Sequence, residues 1–312
     1  MAERRAAPGR RTPAPAPAVA LMVALTVVGA VTGCSPASGG TVPGDPAPVA
    51  AVPSGPLDPD GASPGPVERL SRAADVLAAA GTSRVRTAVE TASGGTRVVI
   101  TGEGVFDHGS GVGELELTVP EAAGGRAPHD GPVITVFGPG EIYLRNRGGE
   151  VPPDTWVRVG TAGVPDGNLV TGGATDPATA AALLRGVTHA EDRGRVRADG
   201  DRLWHHRGTV DPVVAARAVR GLPEEGQFEA VAAGLAGREV TFEAWLDDEG
   251  LLRRITYRFG PTGTGADGPG RPAGPPRPAD LVSTTELLDF GVPVEVRVPP
   301  EGEVADGTVA AR

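Results

Sequence analysis

The sequence predicts an α+β domain whose β-strands are short, numerous and joined by tight turns. Three observations predict it. One stretch beginning near residue 66 repeats its apolar residues at helical spacing. The segments that follow it alternate apolar with polar residues and are separated by Gly, Pro, Asn and Asp. Two shorter helical segments, each started by a proline, interrupt the strands.

The elements can be justified in chain order. After Pro66, Val67, Leu70, Ala74 and Leu77 form an apolar stripe, which Ala73, Val76 and Ala80 widen. Gly81 is placed to stop this helix, because glycine enters the left-handed region without steric cost. Strands then fit residues 85–91, 97–106, 112–119, 133–137, 141–145 and 155–159. Within 112–119, Leu115, Leu117 and Val119 alternate with Glu114, Glu116 and Thr118. Asp176 caps a helix that starts at Pro177 and runs to Val187, and Pro212 starts another near residues 213–219. Strands at 195–198 and 203–210 flank the turn Asp199-Gly200-Asp201. A hairpin, 238–246 and 251–259, surrounds Asp247-Asp248-Glu249-Gly250, and residues 282–290 and 292–298 make a last strand pair.

Composition assigns the remainder. The chain has 312 residues, of which 47 are glycine and 32 proline, a quarter of the total. With 39% apolar and 4% aromatic residues it cannot be one dense globule throughout, so the breakers must concentrate somewhere. They do. Residues 34–66 hold no aromatic, no Arg and no apolar periodicity, which predicts a disordered tether spanning about 30 Å. Residues 260–280 predict a second disordered loop inside the domain, and 301–312 a flexible tail. The folded domain is therefore expected over 67–300. Net charge is −10, from 29 basic residues, all Arg, and 39 acidic ones. An acidic chain is ill suited to wrapping nucleic acid, so no nucleic-acid partner is expected.

The N-terminus sets the compartment. Arg4, Arg5, Arg10 and Arg11 precede an apolar run from Ala18 to Val31. At 1.5 Å per residue that run reaches about 21 Å, short of the ~30 Å hydrocarbon core. Residues 1–33 therefore read as a signal peptide rather than a membrane span. Val31-Thr32-Gly33-Cys34 follows at once and resembles a bacterial lipobox, in which the Cys becomes the acylated N-terminus. Cys34 is the chain's one cysteine, which excludes a disulfide framework and a Cys-clustered metal site. The mature chain is then expected on the extracytoplasmic face of the cell membrane, held by an acyl (palmitate-type) anchor.

Motifs for catalysis are missing from the sequence. No serine stands in a G-x-S-x-G elbow, no phosphate loop is possible without Lys, and H-E-x-x-H is absent. The histidines are His108, His129, His189, His205 and His206; the adjacent pair would face opposite sides of a strand and could not share a metal. Asp247-Asp248-Glu249-Gly250 lacks the alternating oxygen ligands of a calcium loop, and Gly109, Gly111 and Gly113 fit a turn. No enzymatic activity, cofactor or metal is expected.

Three segments resemble actinobacterial cell-envelope lipoproteins of the LppX/LprG type, related in fold to the LolA and LolB carriers. They are Glu141-Ile142-Tyr143-Leu144-Arg145 with Thr155-Trp156-Val157-Arg158-Val159; Asp192-Arg193-Gly194 through Leu203-Trp204-His205-His206 to Val210-Asp211; and Phe242 through Leu246 to Arg254. Asp289-Phe290-Gly291-Val292-Pro293-Val294 is similar to the family's last strand. The resemblance implies a curved antiparallel sheet, a half-barrel, wrapped around the N-terminal helix and the short helices. It also implies an apolar cavity holding acyl chains, so that the protein would bind or carry a lipid or glycolipid. Leu70, Val76 and Leu77 of the helix and Phe242, Leu246, Ile255 and Tyr257 of the hairpin are the residues expected to line it. The alternative is an envelope sensor or protein-binding lipoprotein in which the same residues form a solid core. The anchor makes the first expectation open to test: Cys34→Ala should move the protein from the membrane fraction to the soluble fraction. Persistence of the variant in a detergent-extractable membrane fraction would overturn the lipobox reading.

Overall fold

The alternating segments form a single open sheet. The computed structural model of the protein describes residues 64–93, 96–120, 131–147, 151–152, 154–198, 200–262 and 280–307. The expected signal peptide, Cys34, the expected tether as far as residue 63, His129 and residues 263–279 of the expected loop lie outside the described residues. The strands are β1 Thr82–Ser93, β2 Thr96–Asp107, β3 Val112–Thr118, β4 Val133–Gly138, β5 Glu141–Arg145 and β6 Trp156–Gly160, then β7 Val187–Ala198, β8 Asp201–Val210, β9 Arg238–Leu246, β10 Leu252–Thr262, β11 Asp280–Leu288 and β12 Val304–Asp306. Their order across the sheet is β12-β6-β5-β4-β3-β2-β1-β11-β10-β9-β8-β7. Successive hairpins carry the chain outward from β1 to β6. It then crosses to the far edge at β7 and returns inward to β11, which pairs antiparallel with β1 from Arg84↔Leu288 to Ala92↔Asp280.

The helices are α1 Pro66–Ser71, α2 Ala73–Ala80, α3 Pro177–Leu183, α4 Pro212–Ala218 and α5 Glu225–Gly234. Their buried residues merge with one face of the sheet into a single core that includes Leu70, Leu77, Phe106, Leu115, Leu183, Phe228, Phe242 and Tyr257. Local chemistry places the helix starts. Asp176 accepts from Ala178 N and Asp211 from Val213 N, each just before a proline that needs no partner for its missing N–H. Among the described residues no helix is long and apolar enough to cross a membrane.

The centre of the helix-side face is built from small residues. Thr87 stands opposite Thr285 on one side and Gly102 on the other, with Ser283 one alternation further along β11. A segment without regular structure, residues 164–176, lies in that trough. Thr175 Oγ1 bonds both Leu169 O and Ser283 Oγ, while Asp166 accepts from the amides of Asn168, Val170 and Thr171. A buried loop would otherwise strand its backbone polar groups, and this carboxylate satisfies three of them. Gly173, at φ +87°, packs on Ile100 and Leu117.

Several expectations need correction. The first helix is divided at Arg72 into α1 and α2, although Gly81 (φ +80°) ends it as expected. The segment Pro177–Leu183 gives way to a 3₁₀ turn, Leu184–Gly186, before Val187. β7 begins at Val187, not at residue 195. α5 has no counterpart among the helices expected from the sequence. Residues 292–298 form no strand: the chain turns at Asp289 and Gly291, and Pro293 offers no amide to a neighbour. Val296 instead packs with Val304 on Val136, Tyr143 and Trp156, a small second cluster apart from the main core. Residues 301–306, expected in a flexible tail, form a 3₁₀ turn and β12. β12 pairs parallel with β6, so the sheet is mixed rather than wholly antiparallel. Arg158 clamps this end, donating to Glu301 and to Asp306.

Candidate functional site

Where α2, α3 and α5 meet the β2–β3 and β4–β5 turns, the core opens to solvent through a pocket of about 310 Å³. Its apolar wall is made by Ala74 and Leu77 of α2, Ala181 and Ala182 of α3 and Phe228 of α5. Its polar groups include Asp176, Thr179, Arg185, Glu224, Gln227 and His108. That combination of apolar lining with a few convergent polar groups is the ordinary build of a small-molecule site, at the lower end of the ~300–1,000 Å³ range.

Each polar group is held by identifiable partners. Arg185 reaches Asp75 of α2 at 2.7 Å and Glu224 at 3.3 Å, so one guanidinium ties three helical segments together. Asp176 is spent on capping, accepting from Ala178 N at 2.8 Å and from Thr179 Oγ1 at 2.7 Å. Burial pushes its pKa above the ordinary carboxylate value, against those hydrogen bonds, and the charge of Glu224 adds to the rise. Gln227 donates to Gly167 O at 2.8 Å and so joins the pocket wall to the loop in the trough.

His108 lies at the inner end. Its Nε2 is 2.8 Å from Ser83 Oγ, both residues are buried, and its Nδ1 has no partner. Sequence reading did not find this Ser–His pair, because 25 positions separate its members and only the β1–β2 register brings them together. A nucleophile needs a base that is itself oriented by a third group, and His108 has no such group on Nδ1. Burial lowers its pKa to about 4, outweighing the attraction of Asp107, and Ser83 does not reach the pocket. The pair reads as a buried hydrogen bond. Among the described residues no three His, Cys, Asp or Glu side chains gather to hold a metal.

Of the seven expected lining residues, Leu77 alone reaches this pocket. Leu70, Phe242, Leu246, Ile255 and Tyr257 are all at or below 2% exposure in the main core, and Val76 is half-buried. β9 and β10 do bring Phe242 opposite Tyr257 and Leu246 opposite Leu252, but within the closed core, where Tyr257 donates its hydroxyl to Ala180 O of α3 at 2.7 Å. The other motifs resolve as structure. His206 is buried, whereas His205 lies on the opposite face and stacks on Trp245 at 4.6 Å. Asp247 accepts from Leu251 N, and Asp248 accepts from Arg195 and Trp204.

An open, helix-backed sheet with a pocket at one end of its helix layer defines the class. No protein-family model matches the chain, and no curated protein matches it. Among solved structures it is similar to LprF from Mycobacterium bovis, at 16% identity over 76% of this chain and 99% of that one, with a TM-score of 0.37. It is similar to the lipoprotein LppX of Mycobacterium tuberculosis, at 14% identity over 74% and 97%, TM-score 0.38. A LolA superfamily protein from Nitrosomonas europaea follows at 11% identity over 75% and 94%, TM-score 0.29.

The pocket histidine makes a pH prediction. A histidine that stays neutral when folded but takes a proton when unfolded supports the fold above pH ~6.5. It loses that support as pH falls toward its folded value of about 4. The loss is on the order of 3 kcal/mol between those limits. Burial lowers the His206 pKa too, with the same sign. His108→Gln should therefore flatten, without abolishing, the fall in urea-unfolding stability from pH 7 to pH 4.5. An unchanged slope would contradict the buried-neutral assignment.

Proposed function

We propose that the protein is an extracytoplasmic, acyl-anchored lipoprotein that binds an amphiphile with one apolar chain in the pocket between α2, α3 and α5. The observation that carries this reading is the pocket itself, with Leu77, Ala181 and Phe228 on its wall and Arg185 and Glu224 among its polar groups. An apolar chain gains about 0.8 kcal/mol for each methylene it buries, so a short length of chain suffices for useful affinity. A polar head would stay with the charged groups. In this reading the sheet is a half-barrel whose concave side holds the helices, and the lipid is taken at its end rather than along its floor.

The second reading, a lipoprotein that presents a surface to another envelope protein, is favoured by a different observation. Residues 164–176 occupy the trough where a long acyl chain would otherwise lie, and Leu70, Phe242, Ile255 and Tyr257 are closely packed.

One substitution separates the readings, and a second checks that the core is closed in both. Ala78→Trp places bulk in the pocket from an exposed helix position and should abolish binding of a fluorescent fatty acid at nearly unchanged melting temperature. Leu70→Trp overpacks the closed core and should cost about 1–3 kcal/mol. A parent protein that binds no fluorescent fatty acid would remove the lipid reading and leave the protein-binding one.

A further inference from the structure

One exposed face of the molecule combines large apolar side chains with arginine. Residues 212–223 contain no acid, in a chain of net charge −10. Along them Val213 is 42%, Val214 36% and Leu222 42% exposed, all among the few large apolar side chains at the surface. Arg217 and Arg220 are exposed beside them, and neither makes an ion pair with a described residue. The acids that flank the stretch are occupied elsewhere. Asp211 caps α4, Glu224 pairs with Arg185, and Glu225 accepts from Gly221 N at 2.9 Å.

Apolar side chains interleaved with free arginines suit one surroundings in particular. The valines and the leucine enter the boundary between headgroups and acyl chains. The arginine stems lie along the same apolar layer while their guanidinium groups remain with lipid phosphates. An acidic protein is on the whole repelled by an anionic membrane, so a face that joins arginine to apolar side chains favours turning that side toward it. Three side chains are few for a stable protein–protein interface, which buries roughly 800 Å² on each partner. They are enough as the second of two membrane signals, because stable membrane attachment commonly combines one acyl anchor with a weaker contact.

We infer that α4 and the turn after it, through Val213, Val214, Arg217, Arg220 and Leu222, form a face that docks on an anionic lipid bilayer. The docked face lies beside the pocket, since Pro223, which lines the pocket, directly follows Leu222. Docking there would bring the pocket to the membrane surface, but the inference does not require that the pocket hold a lipid.

The test uses the full chain, purified in detergent and reconstituted into vesicles of phosphatidylcholine alone or mixed with phosphatidylglycerol. Val214→Cys carries an environment-sensitive dye, and Glu303→Cys, exposed near β12, carries the same dye as a control. Dye uptake by the parent chain reports a free Cys34, so failure of the anchor reading is seen separately. The expected result is a blue shift at position 214, with quenching by brominated lipid, in phosphatidylglycerol vesicles only. Both effects should weaken in high salt and vanish when Arg217→Glu and Arg220→Glu are combined. The inference is overturned by equal emission at 214 in both vesicles and in detergent. It is also overturned by a blue shift that appears without vesicles as protein concentration rises, which would mark a protein contact instead.

Discussion

The β1–β11 ladder is the interaction on which the rest of the structure depends. β1–β6 and β7–β11 are each assembled from neighbours close in sequence, whereas β1 and β11 meet from opposite ends of the described chain, Arg84 facing Leu288. Closing so long a loop costs more than closing a hairpin, but slowly, by about 0.6 kcal/mol for each doubling of length. The return is a continuous sheet, wide enough to cover five helices with one core. The pocket depends on it too, because the β2–β3 and β4–β5 turns on its rim belong to the first half of the sheet, whereas α2 packs on β10 of the second.

Small residues at that seam determine what fills the space above it. Thr87, Gly102, Ser283 and Thr285 leave a shallow trough. The chain fills the trough with its own residues 164–176, whose amides Asp166 satisfies and whose Thr175 bonds Ser283. A long apolar cavity and a filled trough are alternatives, since interiors pack close to crystal density. An opening survives at the end, where Leu77 and Phe228 stand apart from the turns at residues 108–111 and 138–140.

How much of this could be read from the sequence depended on which faces were buried. β3, β9 and β10 each bury one face and so alternate visibly, and the two short helices were marked by Asp176-Pro177 and by Pro212. The first part of β7 could not be seen, because it is an edge strand exposed on both faces and rich in charge, as edges tend to be. α5 left a fainter sign, Phe228, Val231 and Leu235 at helical spacing, weakened by Gly226 and Gly234. Residues 292–298 misled in the other direction. Val292, Val294, Val296 and Val298 alternate like a strand, but β11, the expected partner, already lies between β1 and β10. Of the pocket, Leu77 was legible as part of an apolar stripe. Asp176, Arg185, Glu224 and Phe228 were not, because only the folded chain assembles them from separate helices.

The central claim is that a ligand sits between α2, α3 and α5 and leaves the filled trough closed. Amide hydrogen exchange, followed with and without a saturating single-chain fatty acid, tests it most directly. Protection is predicted at α2, α3, α5 and the turns around residues 109–111 and 138–140, with the amides held by Asp166 unchanged. Protection spread along β9 and β10, with faster exchange at Asn168, Val170 and Thr171, would contradict it: the loop would then have left the trough to admit the chain.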